Sequence, residues 1–449
     1  MNTTEKIAQF VARLDLSEVP ERARAIAKGG IIDALGVAIA GTQTEVAHVV
    51  TRWTRAIGGT PSAGVIGGAF KTSSATAARA NGAIGHALDF DPPLPMLPAL
   101  LALAECERAS GRDVLAAYVA GFEVQSKLQR GVSDKHSAHG WHSNTVFGTF
   151  GATAAAAKVL KLDARQVQMA FGIAASEASG IRENLGTMTK PLHAGIAAAN
   201  GITAATLARE GLTSCVDGIG GEFGALRLFA MPGEYDEQQI ADTFGSPWNI
   251  VAREIRIKPY PCCRWAHRPL DALLALTRAN NVRVDDVETI ECEVGAHVSE
   301  VMTYPVAQTE LQAKFCLPYC LAVAVCDGRA GLGQFTGERA RDAHVQALAA
   351  RVRVIHPDGK SEFETGTRLP CTVRVRLKDG TVLEQGAGAA RGDRENPMTF
   401  EDIVEKYRDC TRGLLAAEKA ERVLTLVQDI ENAPDLGELF SILTFDIRT

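Results

Sequence analysis

From Glu5 to about Arg209 apolar residues recur at three- and four-residue steps, and the faces they form carry Ala and Gly more often than Leu. That pattern predicts helix after helix, with faces flat enough for neighbouring helices to approach closely. Pro20-Glu-Arg opens one helix that runs through Ile31–Ile39 and stops near Gly41. Ala75–Leu88, Met96–Ala109, Asp113–Leu128, Val167–Gly180 and Ala194–Arg209 read the same way. No strand-like alternation of useful length interrupts them. A small-residue bundle of this kind makes a tightly packed, rigid frame.

The period changes after Ile255. Glu288–Val294, Arg351–His356 and Cys371–Leu377 alternate polar and apolar residues rich in Val and Ile, as half-buried strands do. Lys378-Asp-Gly-Thr marks a hairpin turn into Val382–Gln385. Helical patterns at Arg268–Ala279, Thr309–Ala324 and Arg339–Ala350 lie between. After the glycine-rich stretch Gly386–Gly392 the helical period returns in Thr399–Asp409, Leu414–Asp429 and Leu436–Leu443. The expected fold is mainly α with an α+β part. Residues 1–255 and 395–449 are expected to build one helical domain, with an α+β domain of residues 256–394 inserted between them.

The chain has 449 residues, 46% of them hydrophobic and 22% charged, which describes a folded globular protein. A net charge of −6 argues against nucleic acid as the main partner. Met1–Phe10 lacks the apolar run of a signal peptide, and no stretch has the length and apolarity of a membrane span. The ten cysteines are scattered, with Cys262–Cys263 the one adjacent pair, so they are read as reduced thiols of a cytoplasmic protein.

Four stretches carry chemistry. Ile181–Gly195 (IRENLGTMTKPLHAG) joins two helical runs. Pro191 suits the first turn of the second helix, so Lys190 lies at its amino end, where free N–H groups favour anions. Lys190 and His193, three apart, share a face of that helix. Gly140-Trp141-His142 starts another helix, and His142 is either an acid or base or a capping and core residue. Asn81–Asp91 (NGAIGHALDFD) ends a helix with carboxylates at alternate positions. Lys258–His267 (KPYPCCRWAH) stands at the junction of the two periodicities, its prolines holding Lys258 and Tyr260 in extended chain. Cys263 and His267 lack a second ligand pair at metal-site spacing, so no metal is expected. GxGxxG after a strand, the Walker lysine motif and GxSxG are all absent. What remains is His, Lys, Tyr, Arg and Asp without a cofactor motif, a set that suits proton transfer beside a carboxylate.

Taken together, GHALDFD, GWH…FG, GTMTKPLHAG, KPYPCC…H and AKF…PY resemble the MmgE/PrpD family, and the likeness runs along essentially the whole chain. That family includes 2-methylcitrate dehydratase, cis-aconitate decarboxylase and iminodisuccinate epimerase. The resemblance implies a large all-helical domain built from both chain ends, a smaller α+β lid, a homodimer, and cofactor-free chemistry on small di- or tricarboxylates in a cleft between the domains. It places the catalytic pattern on Asp89, His142, Lys190, Lys258 and Tyr319. It adds His193, Tyr260, Cys263 and His267 as substrate-binding residues, and Arg182 of the Ile181–Gly195 stretch is a further substrate-binding candidate. The TKPLHAG and YPCC wording is most similar to the epimerase branch.

One departure stands out. Similar members continue DFDD with several residues and then a His-Pro that belongs to the catalytic set, whereas here Asp91 runs directly into Pro92. Either the chain does its chemistry without that histidine, or a segment between Asp91 and Pro92 is not represented in this sequence. The leading expectation is a hydro-lyase similar to 2-methylcitrate dehydratase. An epimerase of an iminodisuccinate-like diacid and a silent family member without the loop are the alternatives.

Overall fold

A computed structural model describes the chain apart from residues 91–94, 133–134, 231–232, 242, 254 and 447–449; side chains 135, 138 and 363 are likewise outside the described set. The helices used below are, in chain order, α1 (Glu21–Gly41), α2 (Ser74–His86), α3 (Met96–Glu107), α4 (Gly111–Gly131), α5 (Ser143–Val159), α6 (Thr189–Arg209), α7 (His267–Ala279), α8 (Leu317–Asp327) and α9 (Phe400–Thr411). The chain divides into two compact units. One holds residues 1–183, 189–255 and 399–449; the other holds 184–188 and 256–398.

The first unit is helical, as its period demands. Its centre is α6, which packs on α2 and α5 along most of its length. The contact with α2 is backbone against backbone. A Cβ added to Gly82 would lie 2.7 Å from the Gly195 Cα, and one added to Gly195 would lie 2.0 Å from the Arg79 carbonyl oxygen. At the crossing with α5, a Cβ on Gly201 would come within 2.5 Å of the Ala152 Cβ. These notches are why the faces carry Ala and Gly: any larger residue would push the helices apart. Gly195→Ala is therefore expected to destabilise the unit by about 1–3 kcal/mol, the usual cost of overpacking. A melting temperature unchanged by that substitution would show that the seam gives way.

The carboxy-terminal helices belong to this unit. Alpha-helix α9 and the helix Ala417–Gln428 both pack on α1. A two-residue ribbon, β1 (Ala63–Gly64) with β2 (Lys71–Thr72), turns through Gly67 and Gly68. Both glycines are buried. The turn is tied down by the Gly67 N–H, which donates to the Leu443 carbonyl. No single helix among the described residues is long and apolar enough to cross a membrane.

The second unit is built on one sheet with strand order β4-β3-β5-β6, from β3 (Val287–Glu293), β4 (Val352–Ile355), β5 (Thr372–Leu377) and β6 (Val382–Gly386). Strand β3 runs parallel to β4, with Ile290 opposite Val352, and antiparallel to β5, with Ile290 opposite Val375. Strands β5 and β6 form the hairpin across Asp379-Gly380, Val375 opposite Leu383. Ile290, Cys292, Val373 and Val375 are buried, in one core with Leu270 and Leu273 of α7 and Leu321 of α8. Mainly helical with a small α+β part is thus the observed class. The helical stretch read as Thr309–Ala324 is broken, into Glu310–Ala313 and α8, because Pro318 sits in the first turn of a new helix.

Candidate active site in the helical unit

Asp89 follows the end of α2, where its own N–H donates back to the His86 carbonyl at 3.2 Å. Its φ is +51°, a left-handed conformation uncommon for a residue with a side chain. Lys190 is the second residue of α6, and its Nζ lies 2.6 Å from Asp89 Oδ1. Both residues are buried, each 5% exposed, so the ammonium and the carboxylate neutralise each other out of water.

His142 occupies the N-cap position of α5 without a capping bond from its side chain. Its backbone does the work instead: the N–H donates to the Gly180 carbonyl at 3.0 Å, and the carbonyl accepts from the Thr145 and Val146 amides. The ring is free to turn inward. His142 Nδ1 lies 3.0 Å from His193 Nδ1 and 3.2 Å from Thr145 Oγ1. Two nitrogens at that distance need one hydrogen between them, so one donates and the other accepts. A third imidazole, His86, stacks near His142 with ring centroids 6.5 Å apart. His86 was not picked out from the sequence as a site residue. Its signal was there: it stands three positions before Asp89 at the end of the same helix.

Desolvation holds His142 well below the ordinary histidine range, and the positive charge of Lys190 and the neighbouring His86 and His193 push the same way against Asp89. Desolvation, then His86 and Lys190, bring His193 down to about 4. Both rings are therefore neutral at pH 7. Unfolded histidine, near 6.5, takes up a proton that the folded pair refuses. Stability is then full above about pH 6.5 and is lost as the pH falls through the interval from 6.5 to 4. Melting temperature is expected to drop across that interval, and His193→Asn should flatten its share of the dependence. An unchanged slope in that variant would rule the assignment out.

Arg182 ties two stretches of chain together. Its guanidinium donates to the Ser137 carbonyl at 2.7 Å, its N–H donates to the Gly140 carbonyl, and Ile181 bridges to Trp141. It clips residues 137–141 to 180–182 and so fixes the approach to His142. Beside this clip a cavity of about 240 Å³ is lined by Gly140, Trp141, Ile181 and Phe229, one residue along the chain from His142.

The remaining candidates lie in the α+β unit. Lys258 is half-buried in irregular chain. Tyr260 donates its hydroxyl to Asp271 at 2.7 Å and meets the His267 ring edge-to-face at 5.3 Å. His267, the first residue of α7, contacts the Cys262 carbonyl through Nε2 at 3.2 Å. Cys263 is buried, its N–H bonded to the Lys314 carbonyl. Tyr319 is fully buried in α8, its hydroxyl donates to the Gln334 carbonyl at 2.5 Å, and burial pushes its pKa up. Among the described residues no group of three or more His, Cys, Asp or Glu could hold a metal ion. Asp91 and the segment in question between it and Pro92 lie outside the described residues.

The MmgE/PrpD N-terminal domain matches residues 5–238, and the MmgE/PrpD C-terminal domain matches residues 260–432. The chain belongs to the MmgE/PrpD family. Curated relatives match nearly end to end. This MmgE/PrpD chain is 28% identical to the cis-aconitate decarboxylase of Mus musculus, over 98% of its own length and 93% of the relative's. It is 27% identical to that of Homo sapiens over 98% and 94%, and 25% identical to that of Aspergillus terreus over 99% and 96%.

Proposed function

We propose that this MmgE/PrpD enzyme is a lyase that removes a carboxyl group from an unsaturated tricarboxylate of the cis-aconitate kind, without a metal or cofactor. One observation carries the reading: a buried lysine–aspartate pair set beside two neutral imidazoles that share a hydrogen. End-to-end similarity to cis-aconitate decarboxylases supports it, and favours decarboxylation over the dehydration suggested by the motifs alone.

The chemistry asks for two things. When the C–C bond to the departing carboxylate breaks, its electron pair stays on carbon and is drawn through the alkene into a remaining carboxylate. A nearby ammonium lowers the energy of that developing charge, which is the part we assign to Lys190. Carbon must then receive a proton. A neutral imidazole N–H of the His142–His193 pair supplies it, and solvent returns it afterwards. Carbon dioxide leaves, one C–H bond forms, and no electron is gained or lost. Asp89 keeps Lys190 charged where burial would otherwise favour its neutral form. We further place the enzyme in the cytoplasm as a homodimer, with no nucleic acid or membrane partner.

Incubation with cis-aconitate, 2-methylcitrate and an iminodisuccinate in D₂O, followed by NMR, tests this. Carbon dioxide release with one deuterium in the product is expected from cis-aconitate. A new alkene from 2-methylcitrate alone would assign a hydro-lyase, and deuterium exchange without other change an epimerase. No reaction with any of the three would leave a binding protein.

A further inference from the structure

We propose that Lys406, more than three hundred residues from Asp89 along the chain, is a positioning residue that holds the Asp89 loop in its catalytic conformation. Lys406 projects from α9. That helix lies close along α1 because glycines leave room for it: a Cβ on Gly36 would come within 2.9 Å of the Tyr407 ring and 3.1 Å of its Cα. From this seat the Lys406 ammonium reaches the residue next to Asp89 twice over. It donates to the Phe90 carbonyl at 2.7 Å, and it lies 3.7 Å from the centroid of the Phe90 ring. Its charge is balanced by Asp33 of α1, 2.7 Å away, and the two side chains are 6% and 0% exposed.

A buried ion pair is a poor way to join two helices, since apolar side chains of similar volume do so at least as well. What an apolar pair lacks is a donor for the Phe90 carbonyl. Asp89 stands in left-handed backbone, off the end of α2, where the chain has left the helix that would otherwise fix its direction. Gripping Phe90 by both carbonyl and ring sets the orientation of the chain there, and with it the line from the Asp89 Cα toward Lys190. Two lysine–aspartate pairs thus act in series: Asp33–Lys406 fixes the loop, and the loop presents Asp89 to Lys190. Only the turnover part of this inference rests on the lyase reading.

The test removes both charges at once, in the double variant Lys406→Met with Asp33→Asn, so that neither is left buried alone. Melting temperature is expected to stay close to that of the parent protein. The kcat for cis-aconitate should fall about 10- to 100-fold, as misplacement of a catalytic group does, with KM changed less than about threefold. Hydrogen exchange at the amides of residues 86–90 should quicken by about tenfold or more. Lys406→Arg, which keeps a charged donor, should restore both. A role in packing alone would move the melting temperature and leave kcat and exchange at 86–90 as they were, and that result overturns the proposal. If the parent protein turns over none of the acids offered, the lyase reading fails while the exchange measurement still decides this one. Phe90→Leu keeps both charges and takes away the ring under the ammonium. If the double variant does not fold, faster exchange at 86–90 in Phe90→Leu supports the clamp and unchanged exchange overturns it.

Discussion

His142→Asn is expected to lower kcat by about 10²–10⁴-fold, the usual contribution of a general acid or base, and to leave the melting temperature unchanged or slightly raised. The choice of asparagine makes the result readable. His142 is the N-cap of α5 yet makes no side-chain capping bond, whereas asparagine is among the best N-cap residues. The substitution therefore adds a cap, worth up to about 1 kcal/mol, while deleting the imidazole. If His142 served only to begin the helix, the variant would be as active as the parent and at least as stable. If it served as core packing, stability would fall and turnover per folded molecule would hold. Only a role in proton transfer joins a large loss of kcat to an intact fold, so kcat and melting temperature measured side by side settle the matter.

Lys190→Met should be more damaging, and in a different way. It leaves the Asp89 carboxylate buried without its ammonium partner, a change that costs about 3–5 kcal/mol when one member of a buried pair is removed. Turnover should be lost as well. The double variant Lys190→Met with Asp89→Asn is expected to regain most of the stability and none of the activity, which separates charge balance from catalysis. A further readout needs no substrate. Lys190 is the leading charge that depresses His142, so its removal should move the His142 titration upward toward the ordinary range. Ring ¹⁵N shifts followed against pH would show this. A His142 titration that stays where it was would mean that the ammonium acts on something else.

The helical unit was legible because its period is long and sustained and because Pro191 has few other uses, and the hairpin of the second unit because Asp-Gly at 379–380 has few other uses. Breaks inside apolar runs were harder to see. Arg339–Ala350 reads as one helix, but Asp342 accepts hydrogen bonds from the His344 and Val345 amides and so starts a new one. The signal was a single N-cap residue within an otherwise helical pattern. Ribbon strands of two residues are too short for alternation to register at all. In the site, Asp89 and Lys190 stand 101 residues apart, and nothing in periodicity pairs them; motif resemblance alone put both on one list. Tyr319 likewise entered through resemblance alone, because the apolar run LPYCLAVAVC reads physically as a buried helix, which it is.

The glycine seam between α2 and α6 works as a mechanical stop. Helices that touch through side chains can creep toward or away from one another as rotamers change, and a core absorbs substitutions in just that way. Where Gly82 meets Gly195 there is no such cushion, since one backbone rests on the other. Asp89 hangs from the end of one of these helices and Lys190 from the start of the other. Their separation is therefore referenced to main chain rather than to the contents of the core. Repacking elsewhere in the bundle can change how stable the unit is and still leave the gauge of the site where it stands.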